Sequence, residues 1–175
     1  MKTILLFFIV LLLPFIGVAQ PIAKQDSLNY YKFHAEAEYE MVGDNATSIK
    51  WLNKAIRLDP NDDELYLLRA FAKGAIADWK GQEADYTRVI GLDPGNVAAY
   101  TGRAACRFTL KKYKESISDY NWLIEVDPTY YGFFFNRGMC KWRLKDKEGA
   151  CFDYRLATQM GSSAAYVLVM EHCLE

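Results

Sequence analysis

The sequence predicts an all-α solenoid of stacked helix-turn-helix units, and three observations carry this prediction. An Asp-Pro dipeptide recurs with a 34-residue period, at Asp59-Pro60, Asp93-Pro94 and Asp127-Pro128. A further step of the same length reaches Gly161-Ser162, which is another natural helix end. Between these stops the apolar residues follow helical spacing, as in Tyr100, Ala104 and Phe108. Since two helices alone cannot bury both of their faces, we expect neighbouring units to complete each core.

Each unit has room for one pair of antiparallel helices. We expect the pairs 28–42 with 45–58, 62–76 with 79–92, 96–110 with 113–126, and 130–144 with 147–160, followed by a last helix over 163–174. Proline ends each second helix because it pushes the preceding residue out of the helical region. Asn61-Asp62, Asn96 and Thr129 are suited to cap the first helices.

Aligning the units exposes columns of equivalent residues. A small column (Ala70, Ala104, Gly138) predicts a close approach of two helices, and a large column (Tyr86, Tyr120, Tyr154) predicts the filling beside it. In this alignment Glu36 falls in the small column of the first unit. Terminal repeats are often atypical, because one of their faces meets solvent.

Segments such as Ala99-Tyr100-Thr101-Gly102-Arg103-Ala104 and 117–128 resemble tetratricopeptide repeats. The resemblance covers four units, 29–62, 63–96, 97–130 and 131–162, and Gln82 departs from it where the family has a small residue. It implies a right-handed superhelical solenoid that ends in a capping helix over 163–175. It also implies a non-enzymatic scaffold for a protein or peptide partner.

Residues 1–19 have the pattern of a secretory signal peptide. A positive start at Met1-Lys2 precedes an apolar run over 4–18, and Gly17-Val18-Ala19 places small residues before a cut at Gln20. The alternative is an uncleaved membrane anchor, for which Pro14 is an interruption. We therefore expect an exported protein, periplasmic or secreted, with an N-terminal tail over 20–28. No later stretch is long and apolar enough to span a membrane.

Charge and motif content exclude several function classes. Removing residues 1–19 takes away one Lys and leaves 20 Lys plus Arg against 22 Asp plus Glu, a net charge of −2. Without a basic stripe, a nucleic-acid partner is not expected. No Cys/His spacing predicts a metal site, and neither His34 nor His172 joins a catalytic arrangement. The sequence thus predicts no cofactor, no metal and no enzyme activity.

Two charged columns repeat at the same period. Arg69, Arg103 and Arg137 form one, and Asp85, Asp119 and Asp153 form the other, at a constant offset within each unit. We interpret them as ion pairs that link facing helices of the scaffold rather than as an acid–base array. The first unit carries Ala35 and Trp51 at these positions, so both partners are lost together.

The four cysteines lie in the C-terminal half. A bridge between Cys106 and Cys140 is not expected, because equivalent residues of stacked helices are about 10 Å apart. Cys151 and Cys173 lie on the last second helix and on the closing helix, where a disulfide is possible in an exported protein. Four buried thiols are the alternative.

In the family that the sequence resembles, the first helices line a concave groove. The equivalent side chains here are mostly apolar: Tyr30, Phe33, Met41, Leu67, Phe71, Thr101, Phe108, Phe135, Met139 and Trp142. Positions that form a carboxylate clamp in some family members carry Phe33, Ala37, Leu68, Ala98 and Gly102, so that mode of binding is not expected.

An apolar groove of this kind favours binding of an apolar protein or peptide segment. The alternatives are coverage by the closing helix, by the tail or by a second copy. The second function hypothesis is a self-associating structural subunit of a cell-envelope assembly.

Overall fold

A computed structural model describes residues 23–174 of the protein, and within them the chain is helical with no strand. The helices are α1 Lys24–Ala37, α2 Asn45–Leu58, α3 Asp63–Ala75, α4 Trp79–Leu92, α5 Val97–Thr109, α6 Tyr113–Val126, α7 Tyr131–Arg143, α8 Lys147–Gln159 and α9 Ser163–His172. A π-helical turn, Glu38–Val42, follows α1. The expected signal peptide over 1–19 lies outside the described residues.

Consecutive helices pack as hairpins, and each hairpin packs on the next. One core cluster joins Tyr66, Ala70, Tyr86 and Val89 of one repeat with Ala99 of the following repeat. The first helix of a repeat therefore closes the core of the repeat before it, as stacking requires. The predicted all-α solenoid is confirmed.

Side-chain caps begin most of the helices. Asp62 and Asn96 accept hydrogen bonds from the backbone N–H groups of Leu65 and Ala99 at the starts of α3 and α5. The expected cap at Thr129 is wrong, because α7 begins after Tyr130 and the Thr129 hydroxyl donates to Asp127 at 2.6 Å. Side-chain capping is thus confirmed at two of the three predicted positions.

The turn inside each hairpin uses one residue in the left-handed region. Gly43, Ala77, Lys111 and Lys145 have φ values of 75°, 60°, 61° and 69°, and they follow the 34-residue period. A left-handed residue after a helix lets the chain reverse while the last carbonyls remain hydrogen-bonded. Only the first repeat has glycine there, where the conformation carries no steric cost.

The π-helical turn Glu38–Val42 adds one residue to the first repeat. Ser48 Oγ donates to the Ala35 carbonyl at 2.8 Å, and Ser116 Oγ donates to the Ala104 carbonyl at the same distance. The separations are 13 and 12 residues, so Ala35 is the equivalent of Ala104. Ala35 is buried and Glu36 is exposed. The placement of Glu36 in the small column is therefore wrong, because the insertion shifts α1 by one residue.

Helix α9 begins two residues before the position that the 34-residue period predicts. The N-caps of α3, α5 and α7 are Asp62, Asn96 and Tyr130, which keep the 34-residue period, but the N-cap of α9 is Ser162. Gly161, with a φ of 97°, makes the tighter junction possible. As a result Tyr166 becomes the equivalent of Phe134.

Candidate functional site

The predicted Arg and Asp columns meet in the structure. Arg69, Arg103 and Arg137 each donate two hydrogen bonds to Asp85, Asp119 and Asp153 respectively, at 2.6 to 3.1 Å. All three carboxylates are buried, and each pair joins the first and second helix of one repeat. Two parallel bonds fix the planar guanidinium against the carboxylate.

A second cation column was missed by the sequence interpretation. Lys73, Arg107 and Lys141 lie 2.7 to 2.8 Å from the same three carboxylates, again in 34-residue steps. Each follows its arginine by one turn of helix, so both cations lie on one face of the helix. The signal was present in the sequence as a repeated i, i+4 pair of cations. Two cations thus compensate the burial of each acid.

The same arginines also contact the preceding repeat. Their remaining guanidinium nitrogen donates to Asn53, Thr87 and Asn121, at 2.6, 3.4 and 2.8 Å. These acceptors are on α2, α4 and α6, and they too follow the 34-residue period. Each arginine therefore connects three helices, and we call the whole set of charged contacts the ladder. It joins neighbouring helices within and between repeats.

Glu83 extends the ladder at one level. It accepts hydrogen bonds from Arg107 at 3.1 Å and from Lys112 at 2.6 Å. Burial acts to raise the pKa of Glu83, but the bonds from Lys112 and Arg107 outweigh it and hold the pKa below the ordinary value. The ionised form of Glu83 is therefore favoured in the folded protein.

The first repeat replaces the ion pair with an aromatic contact. Because of the inserted residue, His34 rather than Ala35 is the equivalent of Arg69, which corrects the sequence alignment. The His34 ring lies 5.2 Å from the Trp51 ring, centroid to centroid, and Trp51 stands in the Asp column. The Lys54 ammonium lies 4.0 Å from the Trp51 ring and adds a cation–π contact.

A groove runs across the first helices of the later repeats. It is formed by the fifth, ninth and twelfth residues after each N-cap. These residues are Leu67, Phe71 and Gly74 on α3, Thr101, Ala105 and Phe108 on α5, and Phe135, Met139 and Trp142 on α7. We call this surface the groove, and most of the sequence-predicted binding residues lie in it.

Two cavities lie in the groove and share Met139 in their walls. The first, about 250 Å³, lies between α5 and α7 and is lined by Ala105, Phe108, Thr109, Tyr120, Asn136 and Met139. The second, about 230 Å³, lies between α7 and α9 and is lined by Met139, Trp142, Arg143, Tyr154, Leu168 and His172. Of the residues that line these two cavities, Phe108, Met139 and Trp142 were in the predicted set and the others were not. Tyr120 and Tyr154 were interpreted only as filling; both are buried, and each contributes to the wall of one cavity.

Three of the predicted groove residues lie elsewhere. With the shift in α1, Tyr30 is the equivalent of Leu65 and Phe33 is the equivalent of Leu68, positions that contact the preceding repeat. Tyr30 and Phe33 therefore face the N-terminal end of the solenoid and are exposed. Met41 lies in the π-helical turn, 84 % exposed. The groove assignment of these three residues is corrected, because it assumed an unbroken 34-residue register.

Part of the groove is covered by the chain itself. The Trp142 ring stacks on the His172 ring at 4.9 Å, and Phe135 and Met139 pack against the core cluster that includes α9. The closing helix thus partly covers this end of the groove, beside the second cavity. The part between α5 and α7 stays open.

Cys151 and Cys173 form a disulfide between α8 and the residue after α9, with a Cα–Cα distance of 5.6 Å. Arg155 also donates to the Cys173 carbonyl at 2.6 Å. Cys106 and Cys140 are free and buried, and burial raises the pKa of both thiols. The structure therefore has the disulfide rather than four free thiols.

The described residues hold no group of three or more His, Cys, Asp or Glu side chains that is arranged to bind a metal ion. In the same range, residues 23–174, no helix has the length and apolar character needed to cross a membrane. Each buried acid of the ladder is paired with two cations.

A family model described as "Tetratricopeptide repeat" matches residues 38–62, which span the second helix of the first repeat. Over that segment the chain is similar to the tetratricopeptide repeat family, and its helical solenoid agrees with the fold of that family. The internal 34-residue period carries the same unit through the later repeats. No curated protein sequence matches the chain.

Solved tetratricopeptide repeat structures share this fold at low sequence identity. MamA from Desulfovibrio magneticus RS-1 is 16 % identical with a TM-score of 0.73, covering 78 % of this chain and 76 % of that one. A tetratricopeptide repeat protein from Parabacteroides merdae is 18 % identical with a TM-score of 0.73, covering 81 % and 57 %. The second such domain of human RPAP3, solved with an HSP70 peptide, is 21 % identical with a TM-score of 0.61, covering 67 % and 98 %.

Proposed function

We propose that this protein is a non-enzymatic scaffold that holds an apolar or aromatic segment of a partner protein in its groove. The observation that carries the proposal is the pair of cavities that meet at Met139, between α5, α7 and α9. Their shared wall gives a continuous path for a peptide chain. The absence of a catalytic constellation in the sequence agrees with binding as the main activity.

The size of the cavities supports a side-chain ligand. Each is smaller than the roughly 300 to 1,000 Å³ that is typical of small-molecule sites, but each has room for one large apolar side chain. Phe108 and Met139 supply apolar walls, and Asn136 supplies an amide beside them. A segment with two apolar anchors fits this arrangement better than a small metabolite does.

The bound peptide in the RPAP3 structure supports a peptide ligand for this fold. The clamp positions carried over from the family hold Leu68, Ala98 and Gly102 here, which offer no cation to a terminal carboxylate. An added Cβ at Gly102 would also meet the Tyr86 ring, so that position is closed by packing. We therefore infer that an internal apolar segment, rather than a chain terminus, is the ligand.

A peptide-display selection against the purified protein tests the groove. Peptides enriched for two apolar anchors should bind at least about ten-fold more weakly to Phe108→Ser and to Met139→Ser, because the cavity wall loses apolar contact. Phe152→Ser is the matched control, since Phe152 is an exposed aromatic residue on α8, outside the groove. Peptides that bind all three variants equally well would remove the groove from the proposal.

We also propose that the protein works after export, in the periplasm or outside the cell. The apolar run over 4–18 and the small residues before Gln20 support this, and so does the disulfide, since such bonds persist in oxidising compartments. Mass spectrometry of the protein from its native host should find a mature chain that begins at Gln20. An intact chain recovered from the soluble cytosolic fraction would contradict export.

A further inference from the structure

Helix α9 has an exposed apolar face that the earlier first helices bury. The fourth and eighth residues after the N-cap are Tyr66 and Ala70 on α3, Tyr100 and Ala104 on α5, and Phe134 and Gly138 on α7. These residues pack against the second helix of their own repeat. The equivalents on α9 are Tyr166 and Met170, which are 53 % and 48 % exposed. No described residue supplies a second helix to cover them.

We propose that this face binds the same face of a second copy of the protein, with the two α9 helices antiparallel across a two-fold axis. We call it the α9 face, formed by Tyr166, Val167, Met170 and Leu174, all of them about half exposed or more. None of these four residues lines either of the two cavities of the groove. The inference therefore stands independently of the proposed peptide ligand.

The residue in the small column argues against an ordinary second helix on this face. In the earlier repeats Ala70, Ala104 or Gly138 leaves room for the tyrosine of the second helix, and an added Cβ at Gly138 would lie 2.7 Å from Tyr154. Met170 fills that room on α9. A second helix that carries a tyrosine at this point would collide with Met170, so the repeat pattern cannot continue in the usual geometry.

The α9 face is complementary to itself when the two helices run antiparallel. A two-fold axis that crosses the helices at the height of Leu168, midway between Tyr166 and Met170, places Tyr166 of one copy beside Met170 of the other. The reverse contact follows by symmetry. A thioether against an aromatic ring is a favourable contact. The large residues that block a tetratricopeptide second helix are thus suited to meet each other.

The charges of α9 favour the same arrangement. Val169 replaces the ladder arginine, so this helix offers no buried cation to an acidic partner helix. Glu171 and His172 are the only ionisable residues between Ser163 and His172 apart from Tyr166. The antiparallel pair places Glu171 near the N-terminus of the partner helix, where the helix dipole stabilises negative charge. No like charges meet at the centre of the face.

Sedimentation velocity over a concentration series tests the second copy as the occupant. The wild-type protein should shift from the chain mass to twice that mass as concentration rises. Met170→Glu should weaken the association at least about ten-fold, because the interface would bury an unpaired charge. Phe152→Glu is the control, since Phe152 is similarly exposed but lies on α8. A wild-type protein that stays monomeric, or a Met170→Glu variant that associates as the wild type does, would overturn the proposal.

A mixing experiment tests the antiparallel register. Met170→Glu and Tyr166→Lys should each associate weakly alone but form a mixed pair together, since the new charges of the two copies would meet once across the axis. Circular dichroism must show unchanged helix content in both variants. A mixture that associates no better than its components would contradict the register, and a monomer that captures a peptide copy of α8 would assign the face to a partner helix.

Discussion

The His34 ring lies 5.2 Å from the Trp51 ring, at the positions where every later repeat pairs an arginine with an aspartate. The first repeat has no preceding repeat among the described residues to supply an acceptor such as Asn53, so an arginine there would lack its third partner. Aromatic packing links the two helices without the need to satisfy buried charges. At the N-terminal end of the solenoid, an aromatic contact thus takes the place of the arginine–aspartate pair, at the same position between the two helices.

The ladder predicts unequal effects at Asp119 and Lys112. Asp119→Ala leaves the guanidinium groups of Arg103 and Arg107 without their buried acceptor, and we expect a loss of about 3 to 5 kcal/mol in the free energy of unfolding. Lys112 is partly exposed and bonds only to Glu83, so Lys112→Ala should cost about 1 kcal/mol or less. Urea denaturation measures both. Equal midpoints for the two variants would count against the ladder.

The disulfide predicts a defined thiol count and a stability change. Denatured, unreduced protein should titrate two thiols, Cys106 and Cys140, and reduction should raise the count to four. Opening the loop between Cys151 and Cys173 with Cys151→Ser should cost about 3 kcal/mol, because the unfolded chain regains entropy. Cys106→Ser, which breaks no bridge, controls for loss of a cysteine in general. Four thiols before reduction would rule out the disulfide.

Glu83 predicts an acid-sensitive contribution to stability. Its pKa is lower in the folded than in the unfolded protein, so the ionised carboxylate stabilises the fold above the ordinary glutamate pKa of about 4.3. That contribution is lost as the pH falls through the folded pKa. The stability difference between the wild type and Glu83→Gln should therefore be largest near neutral pH and shrink below about pH 4. Thermal unfolding from pH 7 to pH 3 measures it, and a difference that grows on acidification would show the opposite sign.

Two glycines in helices should respond oppositely to alanine. An added Cβ at Gly138 would lie 2.7 and 2.9 Å from the Tyr154 ring and 3.2 Å from Asp153, so Gly138→Ala should destabilise by about 1 to 3 kcal/mol. Gly91, near the end of α4, has no atom within 4 Å of such a Cβ, and Gly91→Ala should stabilise by about 0.5 to 1 kcal/mol. Both are measured by chemical denaturation. Stabilisation by Gly138→Ala would mean that the two helices do not approach closely there.

The sequence interpretation succeeded where a residue acts within its own repeat. The ladder pairs could be predicted because Arg103 and Asp119 need only a hairpin of fixed length to meet. The pairing of Lys73, Arg107 and Lys141 with the same aspartates could have been predicted in the same way, because these cations also repeat every 34 residues. Of the predicted groove residues, Phe108 and Met139 line one cavity. Tyr30 lies elsewhere, because one inserted residue moves every side chain of α1 by about 100° around the helix.

The repeat length, the number of helical hairpins and the partners within each ladder pair could all be predicted from the sequence alone. These follow from helix periodicity, turn residues and spacing, all of which act over a few residues. The register of α1, the early start of α9 and the resulting exposure of Tyr166 and Met170 became clear from the three-dimensional fold. Those features depend on how whole helices pack against one another. Whether an apolar residue is buried depends on the residues that pack against it from other helices, not on its neighbours in the sequence.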